Sequence, residues 1–199
     1  MSIYYLDNVA KCEKHSHFMR SIIDECSHEF FPPLTARKST TEKNLAGGDN
    51  TVDIGTDAYV EGLLAQENIF ATSDNDDLIG FMSFIHNRLG EPIFDNLNYG
   101  TNNYISTICI KKQFRNHGIG QLFYDFIEHS LPDNLAANFV STRTWSENKN
   151  HIHLLEKRGY TLVYTGISDR EWSGVRTSSV YYVKKTNNFI PNLEEENPR

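Results

Sequence analysis

The stretch YISTICIKKQFRNHGIGQLFYDF, residues 104–126, decides how this chain is read. Its first part, Tyr104 to Lys111, is a β-branched run with the composition of a buried strand. A short basic turn follows, and Arg115-x-x-Gly118-x-Gly120 leads directly into a helix expected over Gly118 to Ser130. In that helix Ile119, Leu122, Phe123, Phe126 and Ile127 recur at i, i+3, i+4, i+7 and i+8, the stripe of one buried face. A strand that ends in such a turn makes an anion site. Helix-initial N–H groups have no intrahelical partner and point outward, and the helix dipole favours a nearby negative charge. Glycines let a diphosphate approach the backbone without a Cβ in the way. Arg115 adds a formal positive charge.

Three nucleotide-binding patterns compete for this segment. A phosphate-binding Walker loop needs Gly-Lys-Ser/Thr, but Gln121 and Leu122 follow Gly120. A dinucleotide fingerprint needs a third glycine where Phe123 stands. A kinase needs HRD and DFG motifs, which the chain lacks. A tight turn that binds nothing remains the plain alternative.

Upstream, Ile3 to Leu6 reads as a strand. Asp7 or Asn8 is placed to cap a helix running to about Ser27, with Cys12, Phe18, Met19, Ile22, Ile23 and Cys26 at helical spacing. Phe30-Phe31-Pro32-Pro33 cannot continue it. Ser39-Thr40-Thr41-Glu42 has capping-box spacing for a short helix ended by Gly47-Gly48. Another helix is expected from Thr56 or Asp57 to about Gln66. Ile69–Ser73 and Leu78–His86 read as strands joined by an acidic turn, followed by a long polar connection over 87–103. Downstream, Phe139–Trp145 reads as a strand and Asn148–Arg158 as a helix closed by Gly159. Tyr160–Gly166 and Ser178–Lys185 are further strands, separated by a polar loop carrying Trp172. The result is an α/β chain with a mixed central β-sheet of about seven strands flanked by helices. Residues 1–186 form one domain in this reading, and 187–199 form a polar, acidic tail.

Composition narrows the partners. The 199 residues carry 19 Lys plus Arg against 26 Asp plus Glu, a net charge of -7, so no chain-wide cationic field exists to attract nucleic acid or an anionic membrane. No segment approaches the length of a membrane span, and the N-terminus lacks the apolar run of a secretory signal. Cys12, Cys26 and Cys109 cannot all pair, and free thiols suit a reducing, cytoplasmic setting. No HExxH or Cys/His cluster supports a metal. The reading therefore carries no metal, no nucleic acid and no membrane partner, and is compatible with a homodimer.

The 104–126 segment resembles the coenzyme-binding motif of the GNAT superfamily of N-acetyltransferases, Gln/Arg-x-x-Gly-x-Gly/Ala after an apolar strand. A second motif agrees. Asn148-x-x-His151-x-x-Leu154-Leu155-x-Lys157-x-Gly159-Tyr160 resembles that superfamily's Asn-x-x-Ala-x-x-Leu-Tyr-x-Lys-x-Gly-Phe, one strand downstream. The element order from residue 69 onward also matches, while the first 68 residues match in outline only. FFPPLTARKSTT looks like a segment of uncharacterised bacterial members.

The resemblance implies the GNAT fold and an acetyl-CoA-dependent N-acetyltransferase acting on a primary amine of a small molecule or peptide. It implies that Ile108, Cys109 and Ile110 offer backbone groups to the pantetheine arm of acetyl-CoA. Arg115, Asn116, His117, Gly118, Ile119, Gly120 and Gln121 would hold the pyrophosphate, and Asn148 would contact the pantetheine end. Leu155 departs from the pattern: it stands where many members have a Tyr that protonates the departing thiolate.

An amine is almost wholly protonated at neutral pH, so its attack needs a proton acceptor. In the family that group often projects from the strand before the pyrophosphate turn. Tyr104 and Ser106 lie there, expected on one face by strand alternation, and a water-relayed route suits them. Glu29, Phe30 and Phe31 are candidates for the acceptor cleft, and Trp172 for covering it. His151 with His153, and His15 with His17, are expected to be exposed. A catalytically silent acyl-CoA-binding module and an enzyme acetylating a macromolecule are the alternatives.

Overall fold

A computed structural model describes residues 1–9, 12–36, 54–88 and 100–186. The expected helix between Ser39 and Gly48, the middle of the 87–103 connection and the 187–199 tail lie outside them. Among the described residues run β1 (Ser2–Leu6), α1 (Glu13–Cys26), α2 (Gly55–Leu64), β2 (Glu67–Thr72), β3 (Leu78–Ile85) and β4 (Asn102–Ile110). Then follow α3 (Ile119–His129), β5 (Phe139–Trp145), α4 (Lys149–Lys157), β6 (Thr161–Thr165), β7 (Arg170–Trp172), β8 (Val175–Thr177) and β9 (Ser179–Lys185).

The seven expected strands form one sheet in the order β1-β2-β3-β4-β5-β9-β6. Its neighbours are antiparallel except β4 and β5, which run parallel from Asn102 opposite Phe139 to Ile105 opposite Thr142. Helices cover both faces. Phe123, Tyr124 and Ile127 of α3 and Leu155 of α4 pack with Met82, Phe84, Ile105 and Val140 on one face. Phe18, Met19, Ile22 and Ile23 of α1 and Tyr59, Val60 and Leu63 of α2 pack with Phe70, Phe81 and Cys109 on the other. Because both faces are covered, β3 is buried along nearly its whole length.

Four expectations change. Helix α1 starts at Glu13, not after Asp7 or Asn8, because Asn8 takes a left-handed φ of 58° in a turn. His15 is buried, with its Nε2 2.7 Å from Tyr4 Oη and its Nδ1 2.7 Å from Cys12 Sγ. In α3 the buried stripe is rotated: Leu122 is exposed, and Tyr124 and Glu128 are buried. The polar loop after β6 holds a two-stranded ribbon, β7 with β8, in which Trp172 pairs with Val175. None of the helices among the described residues is long and apolar enough to cross a membrane.

Candidate active site

The parallel pairing of β4 with β5 stops at Ile105 and Thr142. Beyond it β4 keeps β3 on one side, through Ile110 opposite Gly80, and among the described residues has no strand on the other. The two strands part around a bulge. Thr107 pairs with Ser83 and Ile105 with Phe84, so Ser106 has no partner residue on β3. The bulge also reverses the faces. Ile105 packs in the α3 layer, whereas Thr107 Oγ1 lies 2.7 Å from the Tyr59 hydroxyl on α2.

The gap opens into a cavity of about 560 Å³. Residues 105–110 of β4 line it, with Arg115, Asn116 and Gly118 to Gln121 at one end and Thr142 to Trp145 and Asn148 on the opposite wall. Gly118 has a φ of 80°, left-handed, and begins α3. Leu122 N–H is the first α3 amide bonded back, to the Gly118 carbonyl. Among the described residues the amides of Ile119, Gly120 and Gln121 have no acceptor and are the donors that a helix presents at its start. An added Cβ at Gly118 would meet open space, and one at Gly120 would meet Leu154 at 3.6 Å, so the turn leaves room above the backbone.

The Arg115 side chain turns away from this helix start. Its Nε donates to the Ile110 carbonyl (2.8 Å), Nη1 to Glu29 (2.6 Å) and Nη2 to Cys26 Sγ (3.1 Å). Lys112 also pairs with Glu29, and its amide donates to Glu25. Arg115 thus braces the turn against the end of α1. Burial pushes the Glu29 carboxyl up, but the hydrogen bonds and charges of Arg115 and Lys112 outweigh it and hold it below the usual range. A hydrogen bond from Cys109 and the charge of Arg115 lower the Cys26 thiol against the effect of burial. Both cysteines are buried and line the cavity.

The expected site residues separate into two groups. Ser106, Ile108, Cys109, Ile110, Arg115, Asn116, Gly118, Ile119, Gly120, Gln121 and Asn148 converge on the cavity. His117 and Tyr104 do not line it. His117 Nδ1 lies 2.7 Å from the Arg115 carbonyl, closing the turn locally. Tyr104 is 4% exposed, with the Arg88 guanidinium 4.2 Å over its ring. Ser106 is the bulge residue without a partner on β3 and reaches the cavity, whereas Tyr104, paired with Ile85, does not. Ser106 Oγ donates to Gln66 (2.6 Å) and to the Ser83 carbonyl (3.1 Å), and Asn148 Nδ2 donates to Thr144 Oγ1 (2.9 Å). Of the four residues expected to line or cover the acceptor cleft, Glu29 and Phe30 line the cavity, Phe30 6.0 Å from Trp145 between ring centroids; Phe31 and Trp172 do not.

Two side chains escaped the sequence reading. His151, expected in solvent, lines the cavity, and its Nε2 lies 2.7 Å from the hydroxyl of buried Tyr124. Burial lowers the His151 pKa to about 4, so the ring is neutral near pH 7. Burial first, then the charge of Glu128, pushes the Tyr124 phenol far above its ordinary value. Leu155 is fully buried beneath α4 and is not part of the cavity wall. The only sequence signal for His151 was its one-turn spacing from Asn148 on the same helix.

The sequence profile of the acetyltransferase (GNAT) family matches residues 34–160. Solved structures of similar fold include yncA of Salmonella typhimurium with its cofactor acetyl-CoA, at 16% identity and a TM-score of 0.60, covering 97% of this chain and 98% of that one. The ribosomal-protein-alanine N-acetyltransferase of Brucella melitensis is 12% identical at a TM-score of 0.60, covering 93% and 99%. A spermidine N-acetyltransferase chimera from Vibrio cholerae and hSSAT is 14% identical at 0.61, covering 93% and 96%. No curated protein sequence matches the chain.

Proposed function

This chain belongs to the acetyltransferase (GNAT) family, and we propose that it transfers the acetyl group of acetyl-CoA directly to a primary amine of a small molecule or peptide. One observation carries the reading: the free edge of β4 and the unpaired amides at the start of α3 share one cavity. The fit is chemical. An extended amide chain finds the side of β4 beyond its pairing with β5, along Ile108 and Cys109, and a diphosphate finds the three amides of Ile119 to Gln121. The carbonyl of Ile110 is already taken by Arg115, so it serves the brace and not the ligand. In this reading the thioester lies beside the bulge at Ser106.

The reaction joins the amine nitrogen to the acetyl carbon and breaks the carbon–sulfur bond, with its electron pair passing to sulfur. The proton lost by the amine goes to water. Ser106 and Gln66 hydrogen-bond each other at the bulge and are placed to order that water, whereas Glu29 is held by Arg115 and Lys112. Tyr104, away from the cavity wall, supports the strand. Neither Cys109 nor Cys26 is needed as a nucleophile in this route, so no acetyl-enzyme forms. The free thiols fit a reducing, cytoplasmic setting.

Calorimetric titration with acetyl-CoA, then thiol release with a panel holding spermidine, amino acids and short peptides, tests the reading. Saturable binding and amine-dependent thiol release are expected. Binding without turnover on any amine would favour the silent acyl-CoA-binding module, to which the buried position of Leu155 lends weight. Absence of binding would overturn both.

A further inference from the structure

The family's usual proton donor is missing at Leu155, whose side chain is buried away from the cavity. The charged side chains on the cavity wall are engaged elsewhere. Arg115 donates to both Glu29 and Cys26 at the end of α1, and Arg143 donates to the Tyr181 hydroxyl (2.9 Å). His151 stands apart from them, one helical turn after Asn148.

Its tautomer follows from Tyr124. The Tyr124 hydroxyl is buried, and its hydrogen-bond partner among the described residues is His151 Nε2. A buried hydroxyl proton must go to an acceptor, so Tyr124 donates and Nε2 accepts. The ring proton then sits on Nδ1, which makes no hydrogen bond among the described residues. Tyr124 touches the ring; Arg158 and Tyr160 lie against the Tyr124 ring, and Glu128 and Arg158 are the charges it feels. Burial is what moves the His151 pKa, downward.

Resting on the acetyl-CoA reading, we infer that His151, oriented by Tyr124, donates its Nδ1–H hydrogen bond to the sulfur of the departing coenzyme A thiolate. His151 keeps its proton. The electron pair of the broken carbon–sulfur bond stays on sulfur, steadied by the N–H, and the thiolate takes a proton from solvent after release. Tyr124 is the positioning residue, acting through the tautomer and the ring angle. This device suits a thiol, which leaves well as a thiolate and needs stabilisation more than protonation.

The test uses coenzyme A itself and needs no acceptor. The thiolate absorbs in the ultraviolet near 240 nm, so the pKa of the bound thiol is read by a pH titration of the complex against the desulfo-coenzyme A complex. In the wild type the bound thiol should lie below its free value. His151→Ala should raise it by at least about one unit, with affinity at low pH changed less than threefold. Tyr124→Phe should raise it part of the way, and His151→Gln, whose amide keeps a donor, should restore part of the lowering. Because His151→Ala strands the Tyr124 hydroxyl, the double variant Tyr124→Phe/His151→Leu provides a folded control with the same loss. An unchanged thiol pKa in well-folded variants that still bind coenzyme A would overturn the inference alone. Failure of the wild type to bind coenzyme A would overturn the acetyl-CoA reading and the inference with it.

Discussion

Arg115 Nη1 lies 2.6 Å from the Glu29 carboxylate, a contact that spans 86 residues of chain and joins the glycine turn to the end of α1. The side chain expected to supply charge to a pyrophosphate is a brace instead. Its charge is paired with Glu29, and in the proposed reading a pyrophosphate meets the backbone amides at the start of α3. Arg115→Ala should therefore act through the turn and through an unpaired Glu29 beside the anion, weakening acetyl-CoA at least tenfold, about 1.4 kcal/mol. Glu29→Gln should keep affinity within about threefold or improve it, because it removes a negative charge and frees the guanidinium. Calorimetry decides; an unchanged affinity in Arg115→Ala would contradict a brace.

Gly118 separates backbone strain from charge. Its φ of 80° disfavours a side chain, yet no atom lies within 4 Å of an added Cβ. Gly118→Ala should cost about 1–2 kcal/mol of stability from conformation alone. It should leave coenzyme binding largely intact. Gly118→Asp should cost similar stability and lose at least about tenfold in affinity, through its charge at the anion site. Thermal melts and titrations on the two variants check the split.

Leu155→Tyr would restore the residue common at that place, but Leu155 is 0% exposed in the layer between α4 and the sheet. The larger ring should overpack it, at about 1–3 kcal/mol. No rise in kcat should follow, since the position does not open on the cavity. A well-folded Leu155→Tyr enzyme with a clearly higher kcat would refute this placement.

His151 also ties stability to pH. Its pKa is lowered in the folded state, to about 4, and lies near 6.5 when unfolded. Between those values the unfolded chain binds the extra proton, so this contribution is complete above pH 6.5 and lost as pH falls toward 4. The loss should be on the order of 2 kcal/mol, since the ring partly reaches the cavity. Denaturant melts at pH 7 and pH 4.5 should show a smaller difference for His151→Gln than for the wild type, and parallel differences would sink the assignment.

Glu128 is buried beneath α3 and accepts from Arg158, Lys184 and the Tyr160 hydroxyl. Glu128→Leu leaves two cations facing an apolar group. It should destabilise the fold by about 3–5 kcal/mol, read as a lower denaturant midpoint.

The sequence alone carried the sheet and the turn. Periodicity separated seven strands from the helices between them, because burial of one face or both imposes a repeat that local composition must obey. The glycine turn was legible because the left-handed φ of Gly118 favours glycine at that one position. What stayed hidden depended on contacts between distant residues. The bulge at Ser106 is a property of two strands in register, which alternation within one strand does not reveal. Helical spacing put His151 on a surface, but which surface α4 turns toward the gap between β4 and β5 is settled by packing Leu155 into the core. Arg115 looked free because Glu29 and Cys26 are remote in sequence, and only the folded chain brings their acceptors within hydrogen-bond reach of its guanidinium.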